Sequence, residues 1–214
     1  TVIPALLTNR SIDSNFLLIS LRQLSIDDSS VTSREKISTF DSLLLRNDSK
    51  PLFLVASHLV YTKGVQDLIQ AINILPNSIK KSIIIDVYGT GIYKNELEKL
   101  VHELELQTSI NFLGSVSNLF ETYCKYDYLL QPTHMECFSL AILESLSANV
   151  PVVTTPVGGN EEVIKNGING FILPVQNPQA WCDLIAKLYQ GEMKISEDTS
   201  ELIAAEFSIE KMVD

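Results

Sequence analysis

Short apolar runs alternate with helix-like stretches along the chain from residue 51 onwards. The runs are apolar at nearly every position and rich in β-branched residues, which is typical of strands that are buried on both faces of a sheet. Six of them are predicted to be strands: 51–57, 82–89, 109–114, 126–132, 150–155 and 170–174. Between the strands, apolar residues recur at helical spacing. This spacing predicts helices at 64–75, 94–106, 117–125, 140–148, 160–167 and 178–191.

Alternating strands and helices with short connections predict parallel βαβ units. We therefore expect an α/β fold: a Rossmann-like, doubly wound and mainly parallel sheet flanked by helices. Residues 1–50 are less regular, although "TVIPALL" predicts an opening strand and "SREKISTFDSLLL" a helix. The pattern divides the chain into an opening strand and connecting segment at 1–50, a Rossmann-like domain at 51–191 and an acidic helical tail at 192–214.

Charge and composition exclude several classes of protein. The net charge is −10, and no arginine follows residue 50. Because nucleic-acid binders cluster lysine and arginine against phosphates, we expect no nucleic-acid partner. No apolar run reaches the length of about 18 residues that a membrane span needs, and the first residues lack the pattern of a signal peptide. The chain begins with Thr1 rather than Met, which predicts a processed or excised chain.

The three cysteines are Cys124, Cys137 and Cys182, and their spacing is not that of metal ligands. An odd number of scattered cysteines predicts reduced thiols in a cytoplasmic protein. We therefore expect neither a disulfide framework nor a metal site.

In a doubly wound sheet, ligands bind where the carboxyl ends of the strands lead into helices. The loop "SHLVYTKG" (57–64) has Lys63 directly ahead of a predicted helix. A lysine, backbone amides and the helix dipole together suit a phosphate there, although a surface lysine beside a turn glycine is an equal alternative. The loop "YGTG" (88–91) could admit a nucleotide close to the backbone, but two glycines are more typical of an ordinary turn.

The stretch "MECFSLAILE" (135–144) carries two glutamates, Glu136 and Glu144, eight positions apart. If a helix begins near Ser139, Glu136 lies in the preceding loop and Glu144 lies one turn inside the helix. Carboxylates accept hydrogen bonds well from the hydroxyls of sugars and riboses. Two alternatives stay open: the pair could be the acid and base of a hydrolase, or Glu144 could be a helix-surface residue. We interpret the nearby His134 as a structural histidine.

In their order and spacing, these loops resemble the donor-binding lobe of family 4 retaining glycosyltransferases, which have the GT-B fold. The likeness runs from about residue 51 to 191. The E-x7-E motif of that family, with an aromatic residue after the first glutamate, matches Glu136, Phe138 and Glu144. "HLVYTKGV" stands where the family has its R-x(4)-K phosphate clamp. "YGTG", "INFLGSV" and "VPVVTTPVGGNEEVIKNGINGFILP" follow in register.

The resemblance implies a site for a nucleotide-diphosphate sugar, with no further cofactor and no metal. Lys63 would hold the diphosphate, Glu136 would act as the catalytic residue in contact with the transferred sugar, and Glu144 would bind the ribose hydroxyls. The implied reaction moves a hexose to an acceptor hydroxyl with retention of its anomeric configuration.

The remaining implied contacts come from backbone and apolar groups. The amides at the helix N-terminus would lie near the sugar and phosphate, and two glycines and one aromatic residue would flank the base. The amides are those of Phe138, Ser139 and Leu140, and the residues that would flank the base are Gly89, Gly91 and Phe112.

Three features depart from the family pattern. His58 occupies the arginine position of the clamp, and a neutral imidazole does not replace a guanidinium. Cys137 and Ser139 stand where the family carries glycines. The N-terminal lobe that would bind a saccharide or glycolipid acceptor is missing from this chain.

These features lead us to expect the donor-binding half of a glycosyltransferase, inactive without its acceptor lobe. The alternatives are a non-catalytic binding or scaffold module of the same fold and a GT-B sugar-nucleotide epimerase. We expect a cytoplasmic protein. Membrane contact is not indicated in this part, although a full-length protein at the membrane periphery is compatible with it.

Overall fold

The structure, a computed structural model, describes residues 50–206, with side chains as far as Ile203. Within these residues, six strands form one parallel sheet. They are β1 Leu52–Ala56, β2 Ile84–Tyr88, β3 Ile110–Gly114, β4 Tyr128–Gln131, β5 Val152–Thr154 and β6 Gly170–Ile172. Their order in the sheet is β3-β2-β1-β4-β5-β6. The order reverses between β1 and β4, which is the position where folds of this kind bind ligands.

Eight α-helices connect or cover these strands within the described residues. They are α1 Val65–Ile74, α2 Asn77–Lys80, α3 Lys94–Glu103, α4 Phe120–Tyr123, α5 Leu140–Ser147, α6 Asn160–Val163, α7 Pro178–Gln190 and α8 Thr199–Glu206. A single turn of 3-10 helix, Tyr61–Lys63, precedes α1. Within the same residues, no helix has the length and apolar character that would let it cross a bilayer.

The α/β fold and the six predicted strands are confirmed, each strand being slightly shorter than its apolar run. Two helices are clearly shorter than predicted, and one helix was not predicted. The helix predicted at 117–125 is limited to α4, Phe120–Tyr123. The predicted helix at 160–167 ends at Val163, because the backbone of Ile164 is already extended. Helix α2, four residues directly after Pro76, was not predicted because it is too short to show a helical period. The strand and helix predicted in residues 1–50 lie outside the described residues.

The strands are continuously apolar because the sheet is buried on both faces. Successive β1 residues point to opposite sides, so Phe53 and Val55 join one core and Leu54 and Ala56 join the other. Helices α1, α3 and α7 cover the first core, and α5 covers the second. The fold is therefore a three-layer sandwich with loops at the carboxyl edge of the sheet.

Helix α8, in the acidic tail, packs against α5. The Thr199 side chain is buried, its hydroxyl donates to the carbonyl of Leu146 at 2.9 Å, and its amide donates to Asn149 Oδ1 at 2.9 Å. Ile203 is buried in the same core. These contacts tie the first turn of α8 to the end of the helix that carries the E-x7-E motif.

Candidate functional site

A cleft of about 340 Å³ opens at the carboxyl ends of β1 and β2, beside the first half of α5. Three residues predicted from the sequence line it: His58, Gly89 and Glu144. Sequence reasoning did not single out its other walls, which are Ala56, Ser57, Tyr88, Thr90, Ser115, Val116, Leu119, Tyr123 and Ala141. The cleft adjoins the switch point of the strand order, where a doubly wound sheet binds ligands.

Glu144 presents an exposed carboxylate to this cleft and is held from behind by a buried tyrosine. The Tyr123 hydroxyl, on α4, donates to Glu144 Oε2 at 3.3 Å, and the Tyr123 side chain is completely buried. Burial, followed by the charge of Glu144, raises the pKa of Tyr123, so that its hydroxyl stays protonated and remains a donor. The carboxylate therefore keeps lone pairs for hydroxyl groups in the cleft.

Lys63 and Glu136, 73 positions apart, form an ion pair in which Nζ lies 2.6 Å from Oε2. Lys63 ends the 3-10 turn before α1, and Glu136 lies in the loop between β4 and α5. Their side chains are only 20% and 17% exposed, so solvent screens the pair less than it would at the surface. The other oxygen of Glu136 accepts from the amide of Cys137 at 3.2 Å.

A second set of contacts fixes the loop that carries Glu136. His134 Nε2 lies 2.5 Å from Asp67 Oδ2, and the His134 amide donates to the carbonyl of Thr62 at 2.8 Å. The ring of Tyr61 packs edge-on against the His134 ring, with centroids 5.8 Å apart. The loop after β4 is therefore joined to the start of α1 on both sides of Lys63.

Three glycine positions allow the loops at this edge to approach each other. A Cβ on Gly64, whose φ is +69°, would lie 1.8 Å from the carbonyl oxygen of Pro132. A Cβ on Gly89 would lie 1.8 Å from the carbonyl oxygen of Ser57, and one on Gly91 would lie 2.1 Å from that of Leu59. The two glycines of "YGTG" are thus required by contact between the loops after β1 and β2, which favours the turn interpretation over direct approach of a ligand.

The N-terminus of α5 has unused donors. Ser139 is its N-cap but makes no capping hydrogen bond with its side chain, since its hydroxyl pairs with Gln131 Nε2 at 2.7 Å. Within the described residues, the amides of Phe138, Ser139 and Leu140 donate no hydrogen bond. Such amides at the start of an eight-residue helix suit an anionic group.

Not every predicted site residue lines the cleft. Phe112 packs against the core that lies on the α1 side of the sheet, so its predicted place beside a base stays a prediction. Cys137 and Leu140 are exposed near Glu136 at the start of α5, and the Phe138 ring covers Gly159. Among residues 50–206, no group of three or more His, Cys, Asp or Glu side chains is placed to hold a metal ion.

The sequence matches a family model described as "Glycosyl transferases group 1" over residues 38–204. An uncharacterized glycosyltransferase of Methanocaldococcus jannaschii is 33% identical over 159 residues, which are 72% of this chain and 40% of that protein. The N-acetyl-alpha-D-glucosaminyl L-malate synthase of Bacillus anthracis is 27% identical over 170 residues, which are 78% of this chain and 44% of that protein.

Solved structures support the same fold. HepE of Anabaena, crystallised in complex with UDP, has a TM-score of 0.70 and 21% identity over 85% of this chain and 51% of its own. The C-terminal domain of LpcC, a glycosyl transferase group 1 family protein of Francisella tularensis, has a TM-score of 0.64 and 24% identity over 74% of this chain and 87% of that domain. The chain spans about half the length, or less, of its longer relatives.

Proposed function

The chain belongs to the group 1 glycosyl transferases, and from this membership we propose that it is the donor-binding lobe of a family 4 retaining glycosyltransferase. Its donor would be a nucleotide-diphosphate sugar, which accords with the UDP bound by HepE. A separate acceptor lobe would complete the enzyme. The lobe alone would bind donor without efficient turnover, because a cleft with one wall neither excludes water nor positions an acceptor.

One observation carries this proposal: hydrogen-bond acceptors lie at one end of the E-x7-E segment, and hydrogen-bond donors lie near the other. Glu144 lines the cleft and offers acceptors to hydroxyl groups. Lys63 and the free amides before α5 lie at the Glu136 end, where they suit phosphate oxygens. A nucleotide-sugar carries these groups in the matching order, with ribose hydroxyls at one end and the diphosphate and sugar at the other.

The Lys63–Glu136 ion pair suggests how the site responds to its donor. A bound diphosphate competes with Glu136 for the Lys63 ammonium. As Lys63 turns towards the phosphates, the Glu136 carboxylate is released to accept hydrogen bonds from hydroxyls of the sugar. Lys63 and the α5 amides then stabilise the charge that develops on the departing diphosphate, and Glu136 stabilises the positive charge on the sugar.

The acceptor of the intact enzyme would be a saccharide or a glycolipid, bound through the other lobe. We place the reaction in the cytoplasm, where nucleotide-sugars are available, with the intact enzyme at the membrane periphery if the acceptor is a lipid. These assignments depend on the proposed donor role.

Saturation-transfer NMR and calorimetry with UDP, GDP and ADP test the proposal. We expect at least one nucleotide to bind, and Glu144→Gln to weaken it several-fold through loss of a charged acceptor. Glu192→Gln, on an exposed glutamate that does not line the cleft, is the matched control.

Binding by none of the three nucleotides would refute the donor role and favour the scaffold alternative. Product analysis on the full-length protein distinguishes the second alternative. An epimerised nucleotide-sugar in place of a glycosylated acceptor would identify an epimerase.

A further inference from the structure

Tyr88 is a large side chain of the cleft to which the proposed function gives no role. It ends β2, directly before Gly89, and pairs in register with Ala56 at the end of β1. Both residues line the cleft on the α5 side of the sheet. Tyr88 is half-buried, whereas the other tyrosine of the cleft, Tyr123, is completely buried. Tyr88 therefore presents the larger accessible aromatic surface to any ligand there.

A chain of hydrogen bonds anchors the Tyr88 hydroxyl. The Tyr126 hydroxyl donates to Asp86 Oδ2 at 2.6 Å, and the Tyr88 and Tyr126 hydroxyl oxygens are 3.2 Å apart. A phenol has one proton, and Tyr126 gives its proton to Asp86, so Tyr88 is the donor to Tyr126. Burial, followed by the hydrogen bond to Asp86, raises the pKa of Tyr126, which keeps this direction fixed.

The far end of the chain is also anchored. Asn111 Nδ2, on β3, donates to Asp86 Oδ1 at 2.8 Å, so each carboxylate oxygen of Asp86 has a partner. The Tyr88 and Tyr126 rings also pack edge to face, with centroids 6.3 Å apart. The Tyr88 ring is thereby held by its hydroxyl and by its neighbour, and it cannot swing aside without breaking the chain.

A fixed ring limits the depth of a cleft that is already small. About 340 Å³ is at the low end of the range for ligand pockets, roughly 300–1,000 Å³. Ala56 and Tyr88 are the two strand residues that line the cleft, and they lie side by side in the sheet. Because alanine is small, the phenol ring of Tyr88 is the bulk at this side of the cleft, and it limits how far a planar base can enter next to the proposed ribose site at Glu144.

From these contacts we infer that Tyr88 determines the choice of base: its anchored ring forms a rigid wall that admits the single ring of a pyrimidine and excludes the second ring of a purine. This inference rests on the proposed donor role, because it assigns the nucleoside end of the donor to this cleft. The wall acts through its bulk and offers one aromatic face for stacking against the base.

Calorimetry with UDP, GDP and ADP on four proteins tests the inference: the wild-type chain, Tyr88→Val, Tyr88→Leu and Tyr88→Phe. We expect the wild type to bind UDP at least tenfold more tightly than either purine nucleotide. Both variants should fold, because valine suits a strand and leucine retains apolar contact with the core. Both lack the phenol ring, so either variant opens the cleft. In both, we expect the ratio of UDP to purine affinity to fall about tenfold through a gain for the purines. Tyr88→Phe loses the hydroxyl anchor but retains the ring and its packing against Tyr126, so its ratio should fall by no more than about threefold from the wild type.

The outcomes separate the two proposals. A wild type that prefers a purine nucleotide, or a folded Val or Leu variant with the wild-type ratio, overturns the role of Tyr88 and leaves the donor role intact. A Phe variant that loses selectivity as strongly as Val or Leu overturns the argument from bulk. If the wild type binds no nucleotide, the donor role fails, and the assignment of Tyr88 fails with it.

Discussion

Lys63 Nζ lies 2.6 Å from Glu136 Oε2, so the residue proposed to hold the diphosphate is bound to the residue proposed to hold the sugar. While they are paired, each side chain gives part of its charge and hydrogen-bonding capacity to the other rather than to a nucleotide-sugar. Removing one partner of a partly buried ion pair costs more free energy than replacing that partner with another charged or polar group, because removal leaves an unpaired charge. A diphosphate provides such an exchange for Lys63, and the sugar hydroxyls provide one for Glu136.

This relationship predicts opposite effects at its two ends. Lys63→Ala should weaken UDP binding about tenfold or more, because a charged hydrogen bond contributes about 1.5–3 kcal/mol. Glu136→Gln should leave UDP binding unchanged or strengthen it by about fivefold, because Lys63 no longer has a competing carboxylate. The same variant should weaken binding of the nucleotide-sugar relative to UDP. Calorimetry with both ligands measures these differences.

The Lys94–Glu98 pair, 2.7 Å apart on α3 and more exposed than Lys63–Glu136, supplies the matched control for this experiment. Glu98→Gln removes a glutamate from a lysine in the same way but does not touch the site. It should leave the affinity for both ligands unchanged. Weaker UDP binding in Glu136→Gln would contradict the competition between carboxylate and diphosphate.

The buried tyrosine behind Glu144 leads to a second prediction. Tyr123→Phe removes the hydrogen bond to Glu144 Oε2 and leaves the packing of the ring in place. We expect nucleotide affinity to fall about two- to tenfold, since a typical hydrogen bond contributes about 0.5–1.5 kcal/mol. Tyr189→Phe is the control, because the buried Tyr189 hydroxyl has no partner within the described residues. Equal effects of the two changes on affinity would mean that Tyr123 acts only through the stability of the fold.

His58 provides a third prediction, because it lines the cleft from the position where the resembling family carries arginine. His58→Arg should strengthen UDP binding about tenfold, since a guanidinium is permanently charged and binds phosphate with two donors. His102→Arg, on exposed α3 surface, adds the same charge away from the cleft and should change little.

The sheet could be predicted from the sequence because a strand buried on both faces is apolar at every position, which appears as a continuous apolar run. Strand β1 illustrates this: Phe53 and Leu54 face different cores, yet both must be apolar. Glu144 could also be anticipated at the cleft, since a helix that starts after Ser139 brings its first turns to the carboxyl edge of the sheet. Local periodicity was sufficient for these features.

Contacts between distant residues carry no such signal. Lys63 and Glu136 meet across 73 positions, and a lysine in a loop has many possible partners. Tyr88 resembles any aromatic residue at the end of a strand, and only its register with Ala56 brings it to the cleft. Phe112 was expected beside the base, but it does not line the cleft. Side chains alternate along β3, and the side of the strand on which Phe112 lies faces the α1 core.

The three cysteines give a final prediction that needs no mutation. Cys137 is exposed next to Glu136, Cys124 is exposed on α4's C-terminal side, and Cys182 is buried in α7. Burial raises the pKa of Cys182, and partial desolvation of its thiol raises the pKa of Cys124 although the residue is exposed at the surface, so both thiols hold less of the reactive thiolate at a given pH. Iodoacetamide at about pH 8 should therefore modify Cys137 first, Cys124 more slowly and Cys182 only after unfolding. Raising the pH should accelerate Cys124 as its thiolate fraction grows.

A saturating nucleotide-sugar should slow the alkylation of Cys137 and leave that of Cys124 unchanged, because only Cys137 adjoins the proposed sugar position. Peptide mass spectrometry at successive times measures both rates in the same sample, with Cys124 as the internal control. UDP alone should protect Cys137 less than the nucleotide-sugar does, since it lacks the sugar that would contact Glu136. Equal protection of Cys124 and Cys137 would indicate a general stabilisation of the fold. Protection of neither cysteine by a nucleotide-sugar that calorimetry shows to bind would place the sugar away from Glu136.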